Sequence, residues 1–188
     1  MPPKVKVTRE EIVEAALALV RESGAEALGA RTSAAGLHCS TQPVFSNFVN
    51  MEELHHAVTE AAYERYFGYL EAERARGVYP PYKAFGMAYI RFAGEERELF
   101  RLLFFRDRKE EGVPLRADWM ASIELIMQAN GFSQEMAERL HMELWVAVHG
   151  IATLTAMSFL SLDEEQISRM LTDIYQGVRQ KLKEEASV

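Results

Sequence analysis

Apolar residues recur at three- and four-residue spacings along almost the whole chain, and no segment alternates in the manner of a strand. Thr8-Arg9-Glu10-Glu11 reads as a capping box, in which Thr8 accepts from a free amide while Glu11 reaches back. Behind it Ile12, Ala15, Ala16, Leu19 and Val20 fall on one face, and Gly24 stands where a C-terminal cap belongs, so a first helix is predicted over about 8–23. A second, short helix is predicted from Ala27 to Leu37, where His38-Cys39 breaks the pattern. Ser40 then caps a third through Phe48, with Pro43 in its first turn, where amides have no intrahelical partner to lose. Because Pro43 has no N–H, Ser40 is expected to bond the Gln42 amide instead.

A long helix follows from Asn50 to about Arg76, and Gly77 to Pro81 is the clearest internal break. Helices are predicted over 81–93, 95–106 and 114–129, with Asp107 to Glu111 as charged loop and Asn130-Gly131 as a stop. A long helix then runs over 133–160. The last, to about 184, is opened by a second capping box at Ser161-Leu162-Asp163-Glu164 and carries the stripe Ile167, Met170, Leu171, Ile174, Tyr175, Val178 and Leu182. The fold class expected is all-α with about nine helices: a three-helix helix-turn-helix domain over residues 1–50 and a larger helical domain over 51–188.

Composition narrows this picture only where it is divided along the chain. Of 188 residues, 48% are hydrophobic and 26% charged, which fits a folded globular protein. Net charge is −7, unpromising for a nucleic-acid binder. Yet residues 1–50 carry five basic and five acidic side chains, and Lys4, Lys6 and Arg9 precede the first acid, so the whole deficit lies beyond residue 50. Cys39 is the only cysteine, which excludes an intramolecular disulfide and, with no apolar core of a signal peptide behind the N-terminus, suggests the cytoplasm. The uncharged run from Leu144 to Leu160 spans 17 residues but holds His149, Gly150 and several hydroxyls, so it reads as a buried helix and not a membrane span.

Two short helices joined by a tight turn and packed on an amphipathic helix form the helix-turn-helix, whose second helix enters the major groove of DNA. That arrangement needs small residues at the helix crossing, supplied by Ala30, Ala34 and Ala35, and apolar anchors in the second helix, supplied by Val44, Phe45 and Phe48. Ser40, Thr41, Gln42, Ser46 and Asn47 are short and polar, and Gln and Asn can bond adenine bidentately. The segment from Ile12 to Leu54 resembles, without a gap, the N-terminal domain of the tetracycline-repressor (TetR) family: Leu28, Arg31, Ala34, Ser40, Phe48 and Leu54 fall on its marked positions. Cys39 to Phe45 together with Asn50 to Leu54 resembles one branch of that family. Ser33, His38, Phe45, Asn47 and Met51 depart from the family pattern. Phe45 lacks a hydroxyl to give to a phosphate, and Met51 removes a positive charge. The resemblance therefore implies double-stranded DNA as partner and Lys4, Lys6, Arg31, Ser40, Thr41, Gln42, Phe45, Ser46 and Asn47 as DNA-binding residues, with more of the phosphate contact falling on the basic N-terminal arm.

Farther along, Trp145-Val146-Ala147-Val148-His149-Gly150 resembles the Trp…His-Gly signature of one class of TetR-type effector domain. The resemblance implies a homodimer paired through its last two long helices. Independently, the helix over 133–160 is apolar nearly all round, with Ala147, Gly150, Ala152 and Ala156 permitting close approach, so it needs a partner. A dimer also sets two reading helices ~34–36 Å apart, one turn of DNA. Tyr89, Phe92, Phe104, Trp119, Ile123, Met127, Trp145 and His149 are core residues at helical spacing which, as a group, could line a pocket for a small apolar effector. The function expected is a repressor released from its operator by that effector. A hundredfold loss of operator affinity needs about 2.7 kcal/mol of differential binding.

Two other classes compete. Glu-x-x-His occurs at Glu52/His55, Glu53/His56 and Glu138/His141, the motif of di-metal carboxylate bundles. Such sites need two inward-facing copies and two further carboxylates, so neither metal nor catalysis is expected, and no Gly-x-Ser-x-Gly or phosphate loop is present. The other rival is an interaction module of the same fold with degraded DNA binding, motivated by Phe45, Met51 and the acidic balance.

Overall fold

The computed structural model describes residues 7–36, 40–105 and 117–186. Within them there are nine α-helices, one 3₁₀ turn and no strand: α1 Arg9–Ser23, α2 Ala30–Gly36, α3 Gln42–Asn47, α4 Met51–Arg76, α5 Pro81–Glu95, α6 Arg97–Phe104, α7 Ala117–Asn130, α8 Gln134–Ala156 and α9 Glu164–Glu185. The all-helical class is as expected. The contacts fall into two compact units, one of residues 1–67 with 96–106, the other of 68–95 with 107–188.

In the first unit, α1 begins at the expected capping box: the Thr8 hydroxyl accepts from the Glu11 amide at 3.2 Å, and Glu11 Oε2 accepts from the Thr8 amide at 2.8 Å. Ile12, Ala16 and Val20, one per turn, are wholly buried. Gly24 ends the helix at φ +83°, a left-handed conformation that favours glycine, with the Glu98 carboxylate 3.1 Å from where a Cβ would stand. The second helix starts later than expected. Ala25–Ala27 forms a 3₁₀ turn, Leu28 is extended, and α2 opens at Ala30. Gly29 has no side chain to cap with. Thr32 compensates, accepting from the Gly29 amide at 3.0 Å and donating to the Ala27 carbonyl at 2.8 Å.

The cap of α3 also differs from expectation. Thr41, not Ser40, occupies the N-cap, with φ −69° and ψ −13° already helical and no side-chain cap bond. With Pro43 in the first turn, one amide that a cap would serve does not exist, and the turn closes through the backbone, Phe45 N–H to Thr41 O at 3.3 Å. The predicted break at Leu37 to Cys39 lies outside the described residues.

A buried carboxylate organises the same unit. Glu96, at the non-helical residue between α5 and α6 (φ −120°, ψ 53°), is 5% exposed. Its oxygens accept from Arg21 Nε at 2.7 Å and Nη2 at 2.8 Å on α1, and from Arg65 Nε at 2.7 Å on α4. Burial pushes this carboxyl up, but the bonds from Arg21 and Arg65 outweigh it and hold the group below its usual range.

In the second unit α8 is the central helix, packed by α5, α7 and α9. Ile123, Ile126, Phe132, Ala137, Leu140, Leu144 and Leu182 form one buried cluster. Gly86 lets α5 come close: a Cβ there would be 3.1 Å from Leu171 and 3.3 Å from Val148. Gly150, by contrast, is exposed, with open space where its Cβ would be. Two boundaries change. α8 stops at Ala156 and not at Leu160, because Ser158 turns left-handed (φ +57°) and the Phe159 and Leu160 amides close back on the Leu154 carbonyl. α9 is opened by Asp163 and Gln166, not by Ser161 and Glu164: Asp163 Oδ1 accepts from the Gln166 amide at 2.8 Å and Gln166 Oε1 accepts from the Asp163 amide at 2.9 Å. A second buried carboxylate, Glu73 on α4, is held by Arg76 at 3.0 Å and Arg91 at 2.9 Å. Arg76 continues to Glu164 at the start of α9, at 2.9 Å.

Candidate functional site

The reading residues expected on α2 and α3 all belong to the first unit. Val44 and Phe48 are buried and fix α3 onto the unit, which turns the opposite side outward. Arg31, Ser40, Gln42, Phe45 and Ser46 are exposed; Thr41 and Asn47 are half-buried. Lys4 and Lys6 lie outside the described residues. Two of the polar groups are occupied within the protein. Ser46 Oγ donates to the Gln42 carbonyl at 2.8 Å, and Asn47 Nδ2 donates to the Pro43 carbonyl at 2.8 Å and to the Val7 carbonyl at 3.4 Å.

Arg9, which sequence reasoning grouped with the basic arm, is a strut. Its Nη1 donates to the Asn47 carbonyl and to Glu53 Oε1, both at 2.8 Å, and its guanidinium lies 4.2 Å over the Phe48 ring. Glu53 in turn accepts from the Val49 amide at 2.7 Å; that bond first, then Arg9, holds its carboxyl below the ordinary value. The Arg9-to-Glu53 link spans 44 residues, so no local signal in the sequence announces it.

The expected effector residues divide between the units. Phe104 is on α6 in the first, edge-on to Tyr66 at 5.7 Å and tilted against Phe100 at 5.1 Å. The others are in the second. Tyr89 and His149 meet through the phenol and Nδ1 at 2.9 Å. Trp145 stacks flat on His149, ring centroids 5.2 Å apart at 9°, and Trp119 is 6.1 Å from Trp145. Met127 and Trp119 pack on the cluster that contains Ile123, while Phe92 is fully buried and edge-on to Tyr69 at 5.3 Å.

Sequence reasoning missed a second, parallel set about two turns away. Tyr82 OH lies 3.0 Å from His141 Nδ1, and Trp119 stands edge-on to His141 at 4.3 Å. Burial lowers His141 to about 4, so its ring is neutral near pH 7. Burial, and then neighbouring Tyr175, raise the Tyr82 phenol. Tyr82 therefore donates, Nδ1 accepts, and the imidazole proton sits on Nε2. The signal was present as paired spacings, Tyr82/Tyr89 on α5 and His141/His149 on α8.

The Glu-x-x-His motifs do not converge. Glu53 is bonded to Arg9 and Val49, His56 pairs with exposed Glu60 at 3.5 Å, and His141 faces Tyr82. No group of three or more His, Cys, Asp or Glu among the described residues could hold a metal ion. No described helix is long and apolar enough to cross a membrane.

The family model described as "Tetracyclin repressor-like, C-terminal domain" matches residues 82–175, half of the chain. The chain belongs to the TetR family. In sequence it matches no curated protein, but its TetR-type fold is shared by solved structures. A TetR-like transcriptional regulator from Rhodococcus sp. RHA1 is 15% identical, with a TM-score of 0.68 over 94% of this chain and 96% of that one. A protein of unknown function from the same organism is 20% identical, at 0.70 over 94% and 98%. A TetR-family member from Streptomyces coelicolor A3 is 21% identical, at 0.64 over 88% and 96%. The family match covers α5 and α8, the two helices that carry the paired tyrosines and histidines of this TetR-family protein.

Proposed function

We propose that this protein is a non-enzymatic, cytoplasmic, DNA-binding transcription regulator, a homodimeric repressor that leaves its operator when a small apolar effector binds. The observation that carries the reading is the outward side of α3 in a TetR-family chain: Gln42, Phe45 and Ser46, with Ser40 just ahead of the helix, are exposed and uncharged, while Val44 and Phe48 anchor the helix from below. Lys4, Lys6 and Arg31 would supply phosphate contacts, with Thr41 and Asn47 at the edge of the base-reading set. Residues 1–50 would act as the reader and 51–188 as the effector and dimer domain. The Trp145 to Gly150 segment supports a Trp…His-Gly type of effector domain, and Tyr89, Phe92, Trp119, Ile123, Met127, Trp145 and His149 would meet the effector. Pairing through α8 and α9 draws support on the α8 side from Met142, Val146 and Met157, which are 44–67% exposed on or just past α8.

An electrophoretic shift on the DNA flanking the protein's own gene tests this. A retarded complex is expected, weakening steeply from 50 to 200 mM salt, and then dissolved by the right effector in a titration of small apolar compounds. A second reading, an interaction module with degraded DNA binding, draws support from Phe45 in place of a phosphate-bonding side chain and from the −7 charge. Absence of any salt-sensitive shift on flanking DNA or on random duplexes would favour it.

A further inference from the structure

The outward side of α3 presents one large apolar group among uncharged polar ones. Phe45 is 58% exposed, while its neighbours Val44 and Phe48 are at most 2% exposed. No charged side chain occurs from Cys39 to Met51. Ser46 and Asn47 each spend a side-chain donor on the helix itself, which leaves Gln42 and Phe45 as the outward-facing side chains of the helix body. They are three residues apart, adjacent along a helix surface. A phenyl ring offers neither donor nor acceptor, so it cannot bond a phosphate or a polar base edge. The apolar group that the major groove presents is the thymine C5-methyl.

We infer that Phe45 reads a thymine through its 5-methyl group, and that with Gln42 on a neighbouring adenine it makes α3 selective for A·T pairs. This rests on the DNA-reading function proposed above. A ring with the polarity of Phe45 gains by leaving water only where it meets an apolar partner, and thymine supplies one where cytosine, guanine and adenine supply polar edges.

The test uses the full chain. Its half-site is selected from randomised duplexes, and each thymine in it is then replaced singly by deoxyuridine, which deletes the methyl group and keeps the base pair. At one thymine per half-site the wild type should lose about fourfold in affinity per methyl removed. Phe45→Ala should bind the thymine and uracil duplexes equally, and Phe45→Leu should recover part of the discrimination. Phe45 is a surface residue, so circular dichroism of both variants should match wild type. Indifference of the wild type to every replacement, a selected site without thymine, or discrimination that persists in Phe45→Ala would overturn the inference; the ring would then pack on sugar and phosphate without reading sequence. If the wild type binds no duplex at any salt, the DNA-reading function falls and this inference with it, whereas binding without a uracil effect removes only the inference.

Discussion

Ser33 is 1% exposed on α2, and its hydroxyl has no hydrogen-bond partner among the described residues. Water is lost to that oxygen on folding and nothing replaces it, a penalty of about 1–3 kcal/mol for a neutral hydroxyl. Ser33→Ala should therefore stabilise the protein by ~1 kcal/mol, read as a higher urea midpoint at unchanged slope. A lower midpoint would mean that the hydroxyl is bonded after all. Ser33 departs from the family pattern by standing where that pattern has an apolar core residue, and its burial on α2 agrees with such a position. Asn47 is the contrary case. Its phase on α3 left the amide open to bases or to backbone, and only the fold directs Nδ2 to the carbonyls of Pro43 and Val7.

Between elements, two titrating groups act in separate pH windows. His141 sits where α5, α7 and α8 meet, facing Tyr82 and Trp119, and its pKa is lowered to about 4. The unfolded chain takes up that proton below about 6.5, the folded one only near 4. Stability from the neutral ring is thus complete above about 6.5 and drains away as pH falls to about 4, by at most ~3 kcal/mol. Urea titrations at pH 7.5, 5.5 and 4.5 should show the decline, and His141→Asn should flatten it; an unchanged slope would assign the decline elsewhere. Glu96 has the opposite sign, a lowered carboxyl, so its contribution is present above about 4.5 and is lost only as pH falls through its depressed value. Glu96→Gln removes the charge between Arg21 and Arg65. Breaking a buried pair costs about 3–5 kcal/mol, and since both arginines are 41% exposed and can turn to water, about 2 kcal/mol is expected here, read at pH 7 by denaturant unfolding. Helix stripes and the Thr8 box were legible because their partners lie within four residues. The Glu96 clamp was not, since its arginines are 75 and 31 residues away.

For the whole molecule, the proposed dimer predicts its own disruption. Val146 is 58% exposed on α8, so a charge there should leave the single chain folded. Val146→Glu should shift sedimentation equilibrium from dimer to monomer while helicity stays constant, and should weaken operator binding with it, since two half-sites are then no longer bound together. A variant that remains dimeric would move the seam off this face of α8. Membership of an all-helical regulator family was legible from the ungapped run Ile12 to Leu54, and the family match over 82–175 supports it from a different part of the chain. That Phe104 lies in the first unit, apart from the seven other aromatic and apolar residues grouped with it, was not legible: apolar periodicity marks a residue as buried without saying in which core.

By itself the sequence determined that this chain is helical, where most helices run, which faces they bury and that the third is uncharged on its outer side. Those properties follow from 3.6-residue periodicity, capping chemistry and side-chain identity, all local. Only the tertiary structure decided that Arg9 is a strut, that Asn47 turns inward, that Tyr82 and Tyr89 each meet a histidine on α8, and that Phe45 stands in the open. A polar or aromatic side chain can satisfy itself in several ways, and the choice among them is made by partners tens of residues away that sequence spacing does not encode.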